Sequence, residues 1–176
     1  MFKGHCIFRI SLLIFLFLIT SISKSIGAES VEGPGRSIPS QGNEHIASIG
    51  APHDPYNSNP PTSGWHVGFV ARWGIHSSPI PKELQVHNLE DGGVIIQYNC
   101  NNCDELVSKL TKIAKKYNRI VLAPYTDMKP LIALTAWGKI DELPEFDEKR
   151  IIRFVEAYIG VDHHPKKENL PTPPLK

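Results

Sequence analysis

Residues 91–124, DGGVIIQYNCNNCDELVSKLTKIAKKYNRIVLAP, decide the fold of this chain. After the paired glycines, residues 94–98 are a short run rich in β-branched side chains, which is typical of a buried strand. Residues 104–117 space their apolar side chains three and four positions apart and surround them with lysines, which predicts an amphipathic helix. Residues 119–124 then predict a second strand, so the stretch is expected to form a strand, a helix and a strand.

The regular pattern continues toward the C-terminus. Residues 131–137 (LIALTAW) predict a third strand ended by Gly138, and residues 147–159 predict a second helix that ends at Gly160. We therefore expect an α/β (α+β) fold, a single domain in which a mixed β-sheet packs against two helices. An irregular segment rich in proline and glycine, residues 29–81, precedes these elements.

Composition also predicts where the domain begins and ends. We expect residues 29–42 to be a flexible lead, residues 43–162 to be a single globular domain, and residues 163–176 to be a disordered tail. Aromatic and aliphatic side chains within residues 43–81 give that segment apolar surface to bury. We therefore expect it to be ordered on the core in spite of its loop-like composition.

The N-terminus has the three regions of a secretory signal peptide. Lys3 and Arg9 supply positive charge, residues 10–22 form an almost unbroken apolar run, and small residues lead up to Ala28. The apolar run is shorter than the roughly 20 residues that a spanning helix needs, which favours cleavage over a retained anchor. We therefore expect residues 1–28 to be a cleaved signal peptide. The mature protein would be exported, periplasmic or extracellular, without stable membrane insertion.

The charge and cysteine content of the mature chain limit its partners. Cleavage would leave 16 of the 19 Lys and Arg residues against all 18 Asp and Glu residues, a formal charge of −2. This balance gives no indication of a nucleic acid or an anionic membrane surface as partner, and it identifies no protein partner. Cleavage would also leave two of the three cysteines, Cys100 and Cys103. In an oxidising compartment such a pair is most often a disulfide.

Two polar stretches carry the candidate chemistry. Residues 57–66, NSNPPTSGWH, contain two prolines, hydroxyls and a glycine, and these predict a rigid turn that presents His66 in a fixed direction. Residues 86–93, VHNLEDGG, place His87 and Asp91 four positions apart. These are the residue types from which metal sites are built.

With these stretches the chain resembles the bacterial "domain of unknown function 3105" proteins. The resemblance rests on residues 41–45 (QGNEH), 60–66 (PPTSGWH), 87–94 (HNLEDGGV) and 134–138 (LTAWG). It covers roughly residues 40–160, and many members carry histidine where this chain has Asp91. The resemblance supports the fold and the export of the chain more than any particular activity.

The leading hypothesis is an extracytoplasmic transition-metal site, copper or zinc, formed by His66, His87 and Asp91. His45 is the fourth candidate ligand. Imidazole and carboxylate both bind zinc and copper(II), and the resemblance strengthens the hypothesis because both motif histidines lie in its most distinctive stretches. Glu90 is a candidate to orient a histidine or to cap a turn. Trafficking or storage of the ion fits better than catalysis, because no separate nucleophile or base stands out.

The other candidate ligands are weaker. Met128, in the loop before the third strand, would be a soft ligand if the metal were copper(I). His53 and His76 lie outside the distinctive stretches, and we expect them at the surface. His163 and His164 fall in the predicted tail, and we expect them to be solvated.

An alternative hypothesis is a thiol–disulfide oxidoreductase that uses Cys100 and Cys103. The two cysteines lie between a predicted strand and a predicted helix, where a helix N-terminus can stabilise a thiolate. Asp104 would oppose a thiolate at this position, and the resemblance implies a structural bridge instead.

Two further alternatives remain open. Ser63 with a histidine and Asp91 supplies the residue types of a hydrolase triad, but Ser63 does not lie in a G-x-S-x-G turn. A non-catalytic envelope binding module would instead expose an apolar patch, and Trp65, Trp73 and Trp137 are expected to be core residues rather than part of one. The sequence leaves it undecided whether the protein is an enzyme.

Overall fold

The computed structural model describes Met1 and residues 33–165, and the description that follows concerns residues 33–165. Apart from Met1, the predicted signal peptide lies outside the described residues, as does the predicted tail beyond residue 165. No helix in the described part of the chain is long and apolar enough to cross a membrane.

The described residues form eight strands and three helices. Their bounds are β1 (Arg36–Ser37), β2 (His45–Ile46), β3 (His66–Val67), β4 (Gly74–Ile75), α1 (Lys82–Glu90), β5 (Val94–Tyr98), α2 (Asp104–Ala114), β6 (Ile120–Pro124), β7 (Ile132–Ala136), β8 (Lys139–Leu143) and α3 (Glu148–Tyr158). This confirms the predicted α+β fold, a single domain with a mixed sheet and packed helices.

The main sheet has six strands in the order β1-β8-β7-β5-β6-β4, and β2 and β3 form a separate pair. At its centre, β5 runs parallel to β6 and antiparallel to β7, so that Ile96 lies opposite Leu122 on one side and Leu134 on the other. The parallel pair β5 and β6 needs a crossover connection, and α2 provides it. This is the strand, helix and strand that residues 91–124 predict.

The two faces of the sheet carry separate parts of the core, because successive side chains of a strand point to opposite faces. Ile96 belongs to the cluster covered by α2 and α3, in which Leu110 and Phe154 are fully buried. Ile95 belongs to a second cluster, which includes Leu89 of α1. The two predicted helices therefore cover one face, and α1 packs on the other.

The sequence predicts two helices, and the described structure has a third, α1. The segment has no amphipathic pattern because polar side chains are buried within it, and these bond to neighbouring backbone. Asn88 accepts a hydrogen bond from the Ala71 N–H (2.8 Å) and donates one to the Ala71 carbonyl (3.0 Å). Gln85 donates to the Ile80 carbonyl (2.6 Å). Tertiary contacts rather than periodicity therefore stabilise this helix.

The edge of the main sheet also contains elements beyond those predicted. β7 and β8 form a hairpin whose two-residue turn is Trp137-Gly138, with Gly138 at a φ of 65°, which glycine adopts readily. Residues 36–41 belong to the segment predicted as a flexible lead, yet β1 pairs with β8 and Ile38 is buried. The Ile38 N–H donates to the Gly138 carbonyl (2.9 Å). One apolar side chain and an open sheet edge thus order a segment of loop-like composition.

Candidate metal centre

His45 and His66 come together because their strands pair. β2 and β3 run parallel with His45 directly opposite His66, and the His66 N–H donates to the Glu44 carbonyl (3.1 Å). Residues paired in this way project their side chains to the same face. The two imidazole rings accordingly lie 4.7 Å apart, measured between their centroids.

Helix α1 adds His87 and Glu90, which lie three residues apart and so share one side of the helix. The His87 ring lies 5.0 Å from the His66 ring and 5.4 Å from the His45 ring. One ligand atom from each of these residues lies within 4.8 Å of every other. We call this set the inner group: His45, His66, His87 and Glu90.

Three members of the inner group are buried and the fourth, His45, is exposed. The side chains of His66 and Glu90 are 0% and 1% exposed, and His87 is also buried. The His45 side chain is 52% exposed, with its Nε2 atom 3.9 Å from Glu90 Oε2. Solvent therefore reaches the group from the side of His45.

The hydrogen bonds of His66 determine where its proton lies. Its Nδ1 atom is 2.8 Å from the Gly64 carbonyl, which can only accept, so Nδ1 carries the hydrogen. In the neutral ring the Nε2 atom then presents a lone pair, and it faces Glu90 Oε2 at 3.0 Å. Two acceptor atoms at this distance require a proton or a cation between them. A metal-binding histidine is oriented in the same way, by a hydrogen bond from its other ring nitrogen.

The other two buried members also present free ligand atoms. Glu90 Oε1 accepts a hydrogen bond from Asn43 Nδ2 (2.9 Å), which leaves Oε2 facing the histidines. The Nδ1 atom of His87 is buried without a hydrogen-bond partner among the described residues. Burial, reinforced by repulsion from His66, lowers the pKa of His87, which favours the neutral imidazole that metals bind.

The C-terminal end of α1 adds a favourable electrostatic contribution. His87 and Glu90 lie in the last turn of the helix, and Asp91 is its C-cap. The aligned peptide dipoles of a helix are equivalent to about half a negative elementary charge at its C-terminus, which stabilises a nearby cation. Together with the Glu90 carboxylate, this makes the inner group suited to a positive ion.

The structure thus brings three of the four predicted ligands into one group and leaves Asp91 beside it. Asp91 Oδ1 lies 3.9 Å from His87 Nε2, on the more exposed side of that ring. Asp91, His87 and His164 form a second set of converging ligand atoms, which we call the outer group. Glu90 takes the place in the inner group that the sequence analysis gave to Asp91. The H-x-x-E spacing of His87 and Glu90 would have indicated this, had residues 82–90 been recognised as a helix.

The two histidines of the predicted tail are also placed by contacts with the domain. The His163 ring stacks on Trp137, with centroids 5.8 Å apart. The backbone N–H of His163 donates to the Glu90 carbonyl (2.9 Å). His164 is exposed, yet its Nε2 atom lies 3.4 Å from Glu90 Oε2 and 3.7 Å from Asp91 Oδ1. Sequence reasoning missed this because the contacts are made across the chain and leave no local pattern.

Other residues considered from the sequence lie elsewhere. Met128 is buried in a small cluster with Tyr125 and Ala133, which contains no residue of the inner group. Cys100 and Cys103 are joined in a disulfide immediately before α2, with Cys103 as its N-cap. The Ser63 hydroxyl accepts a hydrogen bond from the Gln41 N–H (3.0 Å), which indicates that it stabilises the turn.

Comparison with known proteins places the chain in a family. The model of a family described as "Protein of unknown function (DUF3105)" matches residues 53–172, which is more than half of the chain. The matched range includes His66, His87, Glu90 and the residues of the outer group, whereas His45 lies before it. Neither the curated proteins nor the solved structures contain a match.

Proposed function

We propose that this chain, which belongs to the DUF3105 family, binds a transition-metal ion, zinc or copper(II), through the inner group. The observation that carries the proposal is the buried contact between His66 Nε2 and Glu90 Oε2. Because the Gly64 carbonyl fixes the ring hydrogen on Nδ1, a neutral His66 and an ionised Glu90 would face each other with lone pairs. An ion between the two atoms resolves this conflict and uses both lone pairs.

The chemistry of the donor set favours zinc or copper(II). Three imidazoles and a carboxylate are nitrogen and oxygen donors, which both ions accept, whereas copper(I) prefers thiolate and thioether sulfur. Met128, the soft ligand considered from the sequence, packs in a different cluster. The residues of the inner group therefore offer no sulfur.

The spacing of the ligand atoms is compatible with a single ion. Bonds of about 2.0–2.2 Å in a tetrahedral arrangement hold ligand atoms about 3.3–3.6 Å apart. The His66 to Glu90 distance is 3.0 Å and the His45 to Glu90 distance is 3.9 Å, which bracket that range. Small side-chain rotations would be enough to complete the coordination.

Trafficking or storage of the ion is the role that this arrangement supports. The exposed His45 gives an ion a path to and from solvent, while the buried His66 and Glu90 hold it on the opposite side. Glu90 neutralises part of the charge, and the Gly64 carbonyl keeps His66 in the binding orientation. Among the His, Cys, Asp and Glu side chains of the described residues, the outer group is the other set whose ligand atoms converge.

Zinc titration against a chelator of known affinity tests the proposal. We expect the untagged protein to compete for zinc, and we expect the H66Q and H87Q variants to bind it at least about tenfold more weakly. His53 is partly exposed and belongs to neither the inner nor the outer group, so the matched control H53Q should bind zinc as the unaltered chain does. Equal affinity of H66Q, H87Q and H53Q would refute the inner group as a metal site.

We also propose that the protein acts outside the cytoplasm, periplasmic or extracellular. The charged start, the apolar run of residues 10–22 and the small residues before Ala28 support this, as does the disulfide between Cys100 and Cys103. Cell fractionation with N-terminal sequencing tests it. A mature chain that starts at Glu29 in the exported fraction is expected, and a full-length chain in the cytoplasm would contradict export.

Thiol–disulfide exchange is less well supported by the surroundings of the cysteines. Cys103 is the N-cap of α2, but the first turn of that helix contains Asp104 and Glu105. Two carboxylates at this position oppose the negative charge of a thiolate and cancel the stabilisation that a helix N-terminus supplies. A structural role for the disulfide follows.

A further inference from the structure

We infer that the outer group is a second metal position beside the first, so that the chain holds two ions in adjacent sites. The inference rests on the proposed function of the inner group and extends it. A neutral imidazole donates a single lone pair, so His87 serves the inner ion, and the outer ion is bound by Asp91, His164 and the shared Glu90. The Nε2 atom of His164 lies 3.7 Å from Asp91 Oδ1 and 3.4 Å from Glu90 Oε2, distances that an ion can close with small side-chain movements.

The segment after α3 is docked where it can deliver His164. The Gly160 N–H donates to the Gly92 carbonyl (2.7 Å), and the His163 N–H donates to the Glu90 carbonyl (2.9 Å). The segment passes so close to α1 that a Cβ atom on Gly92 would lie 2.8 Å from the Val161 carbonyl oxygen. These backbone contacts hold the residues up to His164 against the C-terminal end of α1.

The ring of His164 is oriented as a ligand. Asp162 Oδ1 accepts from the His164 N–H (2.9 Å) and lies 2.8 Å from its Nδ1 atom, so Nδ1 carries the hydrogen. In the neutral ring Nε2 then presents its lone pair toward Asp91 Oδ1 and toward Glu90 Oε2, at 3.7 and 3.4 Å. A carboxylate that orients a histidine in this way is the usual arrangement behind a metal-bound imidazole.

Glu90 is placed to contact both ions. Its Oε2 atom lies 3.0 Å from His66 Nε2 in the inner group and 3.4 Å from His164 Nε2 in the outer group. Proteins hold pairs of metal ions about 3.5–4 Å apart, and a shared carboxylate between them reduces their mutual repulsion. Asp91 and Asp162 add negative charge on the outer side, as does the C-terminal end of α1.

The exposure of the ligands predicts that the two positions differ in strength. The His164 and Asp91 side chains are 42% and 32% exposed, against 0% and 1% for His66 and Glu90. Exposed ligand side chains compete with water for the ion, and they lose more conformational freedom when they bind it. The outer ion should therefore bind more weakly than the inner ion and be the first to leave.

Counting zinc ions under saturation tests the inference. The untagged full-length chain is dialysed to equilibrium against excess zinc, and bound metal is measured by elemental mass spectrometry. We expect about two ions per chain for the unaltered protein and for the control H53Q, and about one for H164Q and for D91N. Circular dichroism spectra of all variants verify that each is folded, and D91N leaves the C-terminal segment unaltered.

Each other outcome decides against the outer position. One ion in the unaltered chain and in H164Q would overturn the second position and leave the proposed function intact. Two ions that persist in both H164Q and D91N would locate the second ion elsewhere. If the unaltered chain binds one ion and H164Q binds none, His164 is a ligand of a single centre and the second position is refuted. An unaltered chain that binds no zinc would instead refute the proposed function itself.

Discussion

His66 Nε2 lies 3.0 Å from Glu90 Oε2, and both side chains are buried. The two residues come from β3 and α1, and each has a further hydrogen bond that orients it. The Gly64 carbonyl orients the His66 ring, and the Asn43 side chain orients the Glu90 carboxylate. A contact so well oriented from both sides is either an ion pair with a protonated histidine or a pair of ligands for one metal ion. The two possibilities predict different behaviour of the same variant.

The variant E90Q separates them. Its amide N–H can donate to the lone pair of a neutral His66, so metal-free E90Q should have a free energy of unfolding within about 1 kcal/mol of the unaltered chain. Breaking a buried ion pair by removing one partner would cost about 3–5 kcal/mol. Urea unfolding in the presence of a chelator measures the difference. A loss of 3 kcal/mol or more in metal-free E90Q would favour the ion pair.

The stability of the metal-free protein should depend on pH through His87. Burial lowers the pKa of His87 below its ordinary value of 6.5, and repulsion from His66 adds to this while Asp91 and Glu90 oppose it. The unfolded chain therefore binds a proton at this residue before the folded chain does. The resulting stability is fully present above pH 6.5 and declines as the pH falls from 6.5 toward the lowered folded pKa.

Unfolding at a series of pH values with a chelator present measures this dependence, with H87Q as the comparison. The difference in unfolding free energy between the two proteins should change by at most about 1.4 kcal/mol per pH unit, and only below pH 6.5. A difference that is constant between pH 5 and 8 would contradict the burial of a neutral His87.

Phe154 should be among the most sensitive positions of the core. It is fully buried where α3 packs on the sheet, so F154A should lower the free energy of unfolding by about 3–5 kcal/mol. Phe69 is 56% exposed, and F69A should change stability by less than about 0.5 kcal/mol. Urea unfolding of both variants tests this packing. Similar losses for the two would contradict it.

The disulfide should matter little for metal binding. Cys100 and Cys103 enclose a short loop, so the double variant C100S/C103S should lose about 2 kcal/mol of stability or less. Its zinc affinity should equal that of the unaltered chain, because neither cysteine belongs to the inner or the outer group. A large loss of zinc affinity in the double variant would connect the cysteines to the metal site.

The sequence predicts the parts of the fold whose periodicity matches their burial. β5, α2, β6 and α3 each follow an apolar pattern, and their observed bounds lie within a few residues of those predicted. Helix α1 has no amphipathic pattern because Asn88 and Gln85 are buried in it and bond to backbone groups outside the helix, those of Ala71 and Ile80. No local pattern reveals such partners.

The sequence likewise predicts only part of the candidate site. The motifs predict His66 and His87, and β2 pairing with β3 supplies His45, as expected of the fourth ligand. Glu90 is reached only once residues 82–90 are known to be helical. The position of His164 depends on how the segment after α3 packs against α1. This is a tertiary contact, and amino-acid composition does not predict it.

Metal content tests the central claim most directly. The untagged protein and the double variant H66A/H87A are purified in parallel and analysed for zinc and copper by elemental mass spectrometry. The metal hypothesis predicts at least about one zinc or copper ion per unaltered chain and almost none in the double variant. A metal-free protein that also takes up neither ion on titration would contradict it.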